Sequence, residues 1–363
     1  MSRMHRTLFM LLMLVCAVCS CERRPLLEAG NTHYVRVYIN EDIKNVTYGF
    51  YNPDYARPVY KAPDVMRVLL ADPVTGRVKA ERFLREKGHD ARGTYYEGYI
   101  IADPGEYMMM AYNFDTETSI VDYGASFEEA KVFTNEIASH LRAKISSRAE
   151  QGLLESEKIV YEPDHVFVAS TDYVKIGYSD RVDTLVTVDG NSLTAYDVVK
   201  PYYLQVRVKG IEYASSTVGL LTGLSGLCNM KDGSINKDDS VTVYFEMSPD
   251  ATKSAGIQEY SSGIEGAAND SIVTLYTTFN TFGKIPDLKN NLRITFDFIT
   301  VYGSSYSETF DISETFLTPE GVNNQWLLID HTIVIPPPPP VNTGGGFKPV
   351  VDDWGDINTD INI

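Results

Sequence analysis

The sequence predicts an all-β fold organised as two strand-rich halves. Three observations carry this: apolar residues alternate with period two along several short runs, turn signals separate those runs, and no α/β alternation appears. The 24 tyrosines fit the same picture, since aromatic side chains favour half-buried strands.

The chain opens with Arg3, His5 and Arg6, followed by an apolar run from Leu8 to Val18. That is the layout of a secretory leader, too short for a comfortable membrane span. Val18-Cys19-Ser20-Cys21 closes it. With small residues at −1 and −2 and an aliphatic one at −3, Cys21 resembles the lipobox cysteine of bacterial lipoproteins, which is acylated after cleavage. Cys19 and Cys16 fail the same test because valine precedes each. Residues 1–20 are therefore expected to be a lipoprotein signal peptide and Cys21 the lipidated first residue. Each buried methylene of an acyl chain contributes about 0.8 kcal/mol, so several chains hold a protein durably.

The first strand is expected at His33-Tyr34-Val35-Arg36-Val37-Tyr38-Ile39, and Asp72-Pro73 and Asp103-Pro104-Gly105 mark later turns. From Ser126 the pattern changes. Glu129 stands at capping-box spacing, and Ala130, Phe133, Ile137, Leu141 and Ile145 recur every three or four residues. This predicts one amphipathic helix ending near Gly152 and covering a sheet face. Asp189-Gly190-Asn191 and Lys200-Pro201 then bracket a domain boundary, placed between residues 198 and 199. Strands follow at Tyr202–Val208, at Val241–Phe245 and at Leu292–Phe298, the last with Leu292, Ile294, Phe296 and Phe298 on one face.

The end of the chain differs in composition. Pro336 to Pro340 is a pentaproline, extending about 16 Å as polyproline II, and Gly344-Gly345-Gly346 supplies a hinge. Beyond it, Ile357, Thr359, Ile361 and Ile363 fall on one side of an extended strand and Asn358, Asp360 and Asn362 on the other, with Trp354 just ahead. Such a segment pairs with a sheet edge, its own or a neighbour's, or stays disordered.

Cysteine usage excludes a disulfide framework. Cys16 and Cys19 leave with the leader and Cys21 carries lipid, so Cys228 stands alone and reads as a small buried apolar residue. The formal charge is −17, which repels nucleic acid and anionic headgroups. Chemistry is hard to find. Gly223-Leu224-Ser225-Gly226-Leu227 misses the nucleophile elbow at its fifth residue, and the elbow needs a strand-turn-helix that this chain lacks. The six histidines are scattered without zinc-ligand spacing. Asn236-Lys237-Asp238-Asp239 and Asp352-Asp353 do not fit a calcium loop. No enzyme, metal or cofactor is expected, apart from the covalent lipid.

The lipobox, the two strand-rich halves and the tail from Gly344 through Val351-Asp352-Asp353-Trp354-Gly355-Asp356 together resemble the fimbrillin-like and fimbrial-anchor surface lipoproteins of Bacteroides-type bacteria. Val218–Leu227 resembles the short motif near the start of that family's second domain. The resemblance implies two transthyretin-like β-sandwiches in series, residues 21–198 and 199–335, followed by a Pro/Gly spacer and acidic tail, 336–363. It implies a protein lipid-anchored at the outer membrane, facing outward, that works as pilus component, anchor or adhesin by strand pairing. Its partners would be the membrane, other pilus subunits, or a host or glycan ligand, and no nucleic acid. Trp354, Ile357, Thr359, Ile361 and Ile363 are the expected partner strand. The alternative is a glycan-binding outer-membrane lipoprotein of a nutrient uptake system, with Tyr95, Tyr96, Tyr99, Tyr202, Tyr203 and Trp326 as candidate sugar platforms.

Overall fold

The computed structural model describes residues 31–41, 62–124, 126–145, 149, 157–177, 183–184, 193–235, 237–247, 263–265, 272–285, 292–323 and 325–338. The architecture is all-β, as expected. The first half contributes β1 (Thr32–Ile39), β2 (Met66–Ala71), β3 (Val78–Leu84), β4 (Glu86–Asp90), β5 (Gly93–Ile101), β6 (Gly105–Asn113), β7 (Ser119–Asp122), β8 (Lys131–Thr134), β9 (Lys158–Tyr161), β10 (Phe167–Ile176), β11 (Asp183–Thr184) and β12 (Leu193–Asp197). The second contributes β13 (Lys200–Lys209), β14 (Ala214–Ser225), β15 (Leu227–Asn229), β16 (Ser240–Met247), β17 (Gly263–Glu265), β18 (Ile272–Thr281), β19 (Arg293–Thr300), β20 (Ser305–Asp311) and β21 (Trp326–Val334).

In the first half the strands run in the order β3-β2-β6-β10-β12-β1-β5-β4, with β11 also against β1. Two features fold this long sheet back on itself. β12 pairs with β10 through Tyr196 and Asp197 and with β1 through Leu193–Ala195, so it belongs to both layers. At the other flank β3 and β4 are separated only by Arg85, β3 pairing with β2 and β4 with β5. The two layers are thereby joined at both flanks, while β3 and β4 remain the end strands of the order, each with one ladder partner. Period-two alternation fills the sandwich: Val35, Val37 and Ile39 of β1 meet Val68 and Leu70 of β2, Met109 of β6 and Phe167 of β10.

The second half is an open sandwich of two sheets, β17-β18-β13-β21 and β20-β19-β14-β16-β9. The expected face of Leu292, Ile294, Phe296 and Phe298 is fully buried there. It packs with Leu204, Val206, Leu275 and Leu327 of the facing sheet. Each such side chain contributes roughly 1.5–3 kcal/mol by leaving water.

The amphipathic helix expected from Ser126 is not what forms. The stretch becomes a 3₁₀ turn at Phe127–Glu129, strand β8, and a single helical turn at Ser139–Arg142. Ser126 makes no side-chain cap bond. Lys131–Thr134 is instead held on both sides, by β7 and by β15, and two ladders outweigh a weak helical propensity in Val132-Phe133-Thr134. The apparent 3.6-residue period is made by a bent chain serving two cores: Ala130 and Val132 enter one, Ile137 and Ile145 another.

One glycine sets the packing at the centre of the second sandwich. A Cβ on Gly219 of β14 would lie 2.2 Å from the Phe245 ring, which is itself stacked on Phe279 with centroids 4.3 Å apart. Phe245 is fully buried and has little room to retreat. Gly219→Ala is therefore expected to destabilise the protein by about 1–3 kcal/mol, the usual range for overpacking. Urea denaturation checks this; an unchanged midpoint would show that the Phe245–Phe279 stack can shift freely.

Candidate functional site

The two terminal strands of the described chain lie at opposite poles of the molecule. β1 begins at Thr32, paired with Ile101 beside the 103–105 turn, and ends at Ile39, paired with Ala195. Ala195 is two residues before the end of β12, where the chain crosses into the second half. β13 leaves that junction at Lys200, opposite Thr281, and ends at Lys209. β21 runs parallel to it, from Trp326 opposite Tyr203 to Val334 opposite Lys209. So the chain comes in at the far end of one sandwich and goes out at the far end of the other. Its exit is fixed: Ile335 N–H donates to Lys209 O at 2.9 Å, and the Tyr302 hydroxyl donates to Pro336 O at 2.7 Å.

The outer face of β1 carries a polar and aromatic patch built from cross-strand pairs. Tyr34 stands opposite Tyr99, Arg36 opposite Glu97, and Tyr38 opposite Tyr95. Arg36 Nη2 donates to Glu97 Oε2 at 2.7 Å, and its guanidinium lies 3.8 Å from the Tyr95 ring centroid. Gly88 of β4 accepts the other face of that ring, since a Cβ there would lie 2.4 Å from it. Tyr34 donates to Glu97, and Tyr38 donates to Asp90 Oδ2 at 2.8 Å, while Arg92 covers Tyr38 at 4.3 Å. Burial, then the bond to Glu97, pushes the Tyr34 hydroxyl up to about 12. The bond from Tyr34, then Arg36, holds the Glu97 carboxyl below its ordinary value. The backbone N–H of Arg92 and the Tyr38 hydroxyl do the same for Asp90.

Between the halves, segments cross over. β9 joins the second sandwich by parallel pairing of Lys158–Tyr161 with Val241–Tyr244, and β15 joins the first half through β8. Glu157, just before β9, receives the Gly223 N–H at 3.2 Å, the Thr242 hydroxyl at 2.8 Å and the Ser240 hydroxyl. Glu162, just after it, receives the Asn280 N–H at 3.0 Å. Buried Asp164 gathers the N–H groups of Glu117, Thr118 and Ser119 at 2.8, 2.6 and 2.9 Å, fixing the turn that leads into β7. From the other side, Lys231 reaches Glu128 at 2.6 Å and Asp172 at 2.8 Å. Met108, Met110 and Tyr112 of β6 share a core with Cys228, Met230 and Phe282.

Cys21 and the strand residues Trp354, Ile357, Thr359, Ile361 and Ile363 lie outside the described residues. Cys228 is wholly buried, and burial pushes its thiol up to about 12, so it is packing rather than a nucleophile. The Ser225 hydroxyl donates to Leu227 O at 2.6 Å inside a strand-to-strand bend, which is no nucleophile elbow. Among the described residues no group of three potential metal ligands converges. Of the candidate sugar platforms, Tyr96, Tyr202, Tyr203 and Trp326 are buried, and Tyr95 is sandwiched; Tyr99 is exposed. The network around Arg36 went unread in the sequence because its partners are 54 and 61 residues away. The signal available was the period-two alternation of β1, which puts Tyr34, Arg36 and Tyr38 on one face.

Comparison with known proteins gives one family match, one curated relative and several solved structures of similar fold. The model of a family described as Domain of unknown function (DUF5119) matches residues 20–246. A Bacteroides ovatus protein provisionally named fimbrium anchoring subunit Fim4B is 26% identical over 185 residues, 51% of this chain and 47% of that protein. The match thus spans about half the length of this curated relative. A provisionally named adhesin of known structure from Bacteroides ovatus superposes with a TM-score of 0.51 at 18% identity, covering 88% of this chain and 98% of that one. That likeness shows a shared fold. The fimbrial anchor protein Mfa2 from Porphyromonas gingivalis resembles the chain more loosely, with a TM-score of 0.40 at 13% identity over 82% of this chain and 90% of that one.

The lowered Glu97 carboxyl gives a signed pH dependence. A carboxylate with a depressed folded pKa contributes stability above its unfolded value, near 4.3, and loses it as pH falls through the folded one. Glu97→Gln should therefore be less stable than the natural protein at pH 7. The gap in urea midpoint should narrow as pH falls below about 5. A gap that stays constant through that fall would remove Glu97 from the account of β1.

Proposed function

We propose, from the premise that this chain belongs to the DUF5119 family, that it is a fimbrial component of the anchor or adhesin kind at the cell surface. The single observation that carries this reading is the placement of the terminal strands at opposite poles, which suits a protein held at one end and engaged at the other. The chemistry agrees: among the described residues the thiol, the near-elbow serine and most candidate sugar platforms are committed to packing or internal hydrogen bonds. The relatives' names point the same way.

In finer detail, Cys21 carries lipid and tethers the chain to the outer membrane, some ten residues ahead of β1. Residues 21–198 and 199–335 form its two domains, with β9 of the first completing a sheet of the second. Residues 336–363 form a spacer and a strand, with Trp354, Ile357, Thr359, Ile361 and Ile363 presented to an edge of another fimbrial subunit. Main-chain hydrogen bonds would supply the affinity and the alternating isoleucines the register.

Two measurements test this. Cys21→Ala should move the protein from the membrane to the soluble fraction and abolish incorporation of labelled palmitate; retention on the membrane would overturn the lipid anchor. Material sheared from cells and run unboiled on a denaturing gel should contain this protein in high-mass species that collapse on boiling. Deleting residues 347–363 should abolish those species; their persistence would remove the tail from strand pairing.

A further inference from the structure

We propose that the fold is a tension-bearing link in which both terminal strands are loaded in shear; this rests on the proposed tether at one end and partner at the other. Hydrogen bonds between strands lie across the strand axis. A strand pulled along its own axis must break its whole ladder together. A strand pulled sideways from its end opens one pair at a time.

The register decides which case applies. β1 starts at the pole away from the junction and runs toward it, so tension on the chain ahead of Asn31 draws β1 along its axis. It lies inside the sheet, with seven register pairs to β5 on one side and five, parallel, to β11 and β12 on the other. Arg36 adds side-chain ties across the same ladder, to Glu97 at 2.7 Å and onto Tyr95. β21 ends at the opposite pole, so tension on the chain after Pro336 slides it past β13, against seven parallel register pairs. Its side-chain ties are Arg207–Asp330 at 2.6 Å and His331–Glu308 at 2.9 Å, the second reaching β20 of the facing sheet.

Load must also cross the junction, and it does so by more than the covalent link at residues 197–200. The β9–β16 and β8–β15 ladders run between the halves, with Glu157 and Glu162 bonded across them. The two sandwiches therefore extend as one body under load. β21, with one strand neighbour, is the first element to give, and β1, with neighbours on both sides, the last.

Single-molecule force spectroscopy on residues 22–363, the mature chain without its lipidated cysteine, tests this by comparing a pull along the terminal strands with a sideways pull. One arrangement places handles at the two chain ends. The other places them at the N-terminus and at Pro104→Cys, an exposed turn position beside the start of β1, which opens the β1–β5 ladder from its end. Buried Cys228 is protected from the labelling chemistry. At one loading rate, end-to-end rupture should need about twofold more force or greater than the sideways pull. A smaller ratio would overturn the proposal. Neither outcome depends on lipid or partner, so a strong link in a protein that Cys21→Ala leaves on the membrane would refute the anchoring alone.

Discussion

Four residues, Lys158–Tyr161, constrain how the two halves of this molecule relate. They arrive from the first half and pair in parallel with β16, completing a sheet that otherwise belongs to the second. Without them β16 would present an unpaired row of N–H and C=O groups, because its one remaining neighbour is β14. The strand's other side is closed too: Tyr161 N–H donates to Asn135 O and Ile137 N–H to Ile159 O. Glu157 and Glu162 then fix its two ends through charge-assisted bonds to backbone and hydroxyl donors. A short strand so completely satisfied joins two cores, since its side chains serve the clusters of Ile137 and of Leu204.

The same economy of edges shapes each sandwich differently. The first joins its two layers at both flanks, through β12 and the β3–β4 run, and keeps β3 and β4 as end strands with one ladder partner each. The second keeps β20 and β21 as end strands on one flank. That flank is guarded rather than apolar. β20 carries Ser305, Ser307, Glu308 and Asp311, and β21 interrupts its pairing at a register shift that turns Asp330 and His331 outward. Polar side chains and an irregular register are the means by which natural sheets discourage indiscriminate strand addition.

Much of this was legible in the sequence and some was not, for physical reasons. The strands with clean alternation, β1, β13, β16 and β19, appear where period two places them, and the apolar face of Leu292 to Phe298 is buried as expected. Turns at Asp72 and at Asp103–Gly105 follow from their own local chemistry. The failure lies at residues 126–145. Apolar spacing of three and four was read as a helix, but it arises from one bent segment feeding two cores, and its fate was set by β7, β15 and β9, the last two distant in sequence. Local pattern does not report such tertiary pairing. The β3–β4 corner and the Arg36 network were hidden for the same reason: each depends on which strands become neighbours.

The reactive groups of the described residues are taken up by the fold itself. Residues that could have been read as chemical machinery are spent on structure: Cys228 in the shared core, Ser225 on a bend, Asp164 holding a turn, Arg36 bonded across β1 and β5. Among the described residues, charged side chains tie strand to strand: Arg36 to Glu97 across β1 and β5, Arg67 to Glu81 across β2 and β3, Arg207 to Asp330 across β13 and β21, and Glu157 to Thr242 at the junction between the halves.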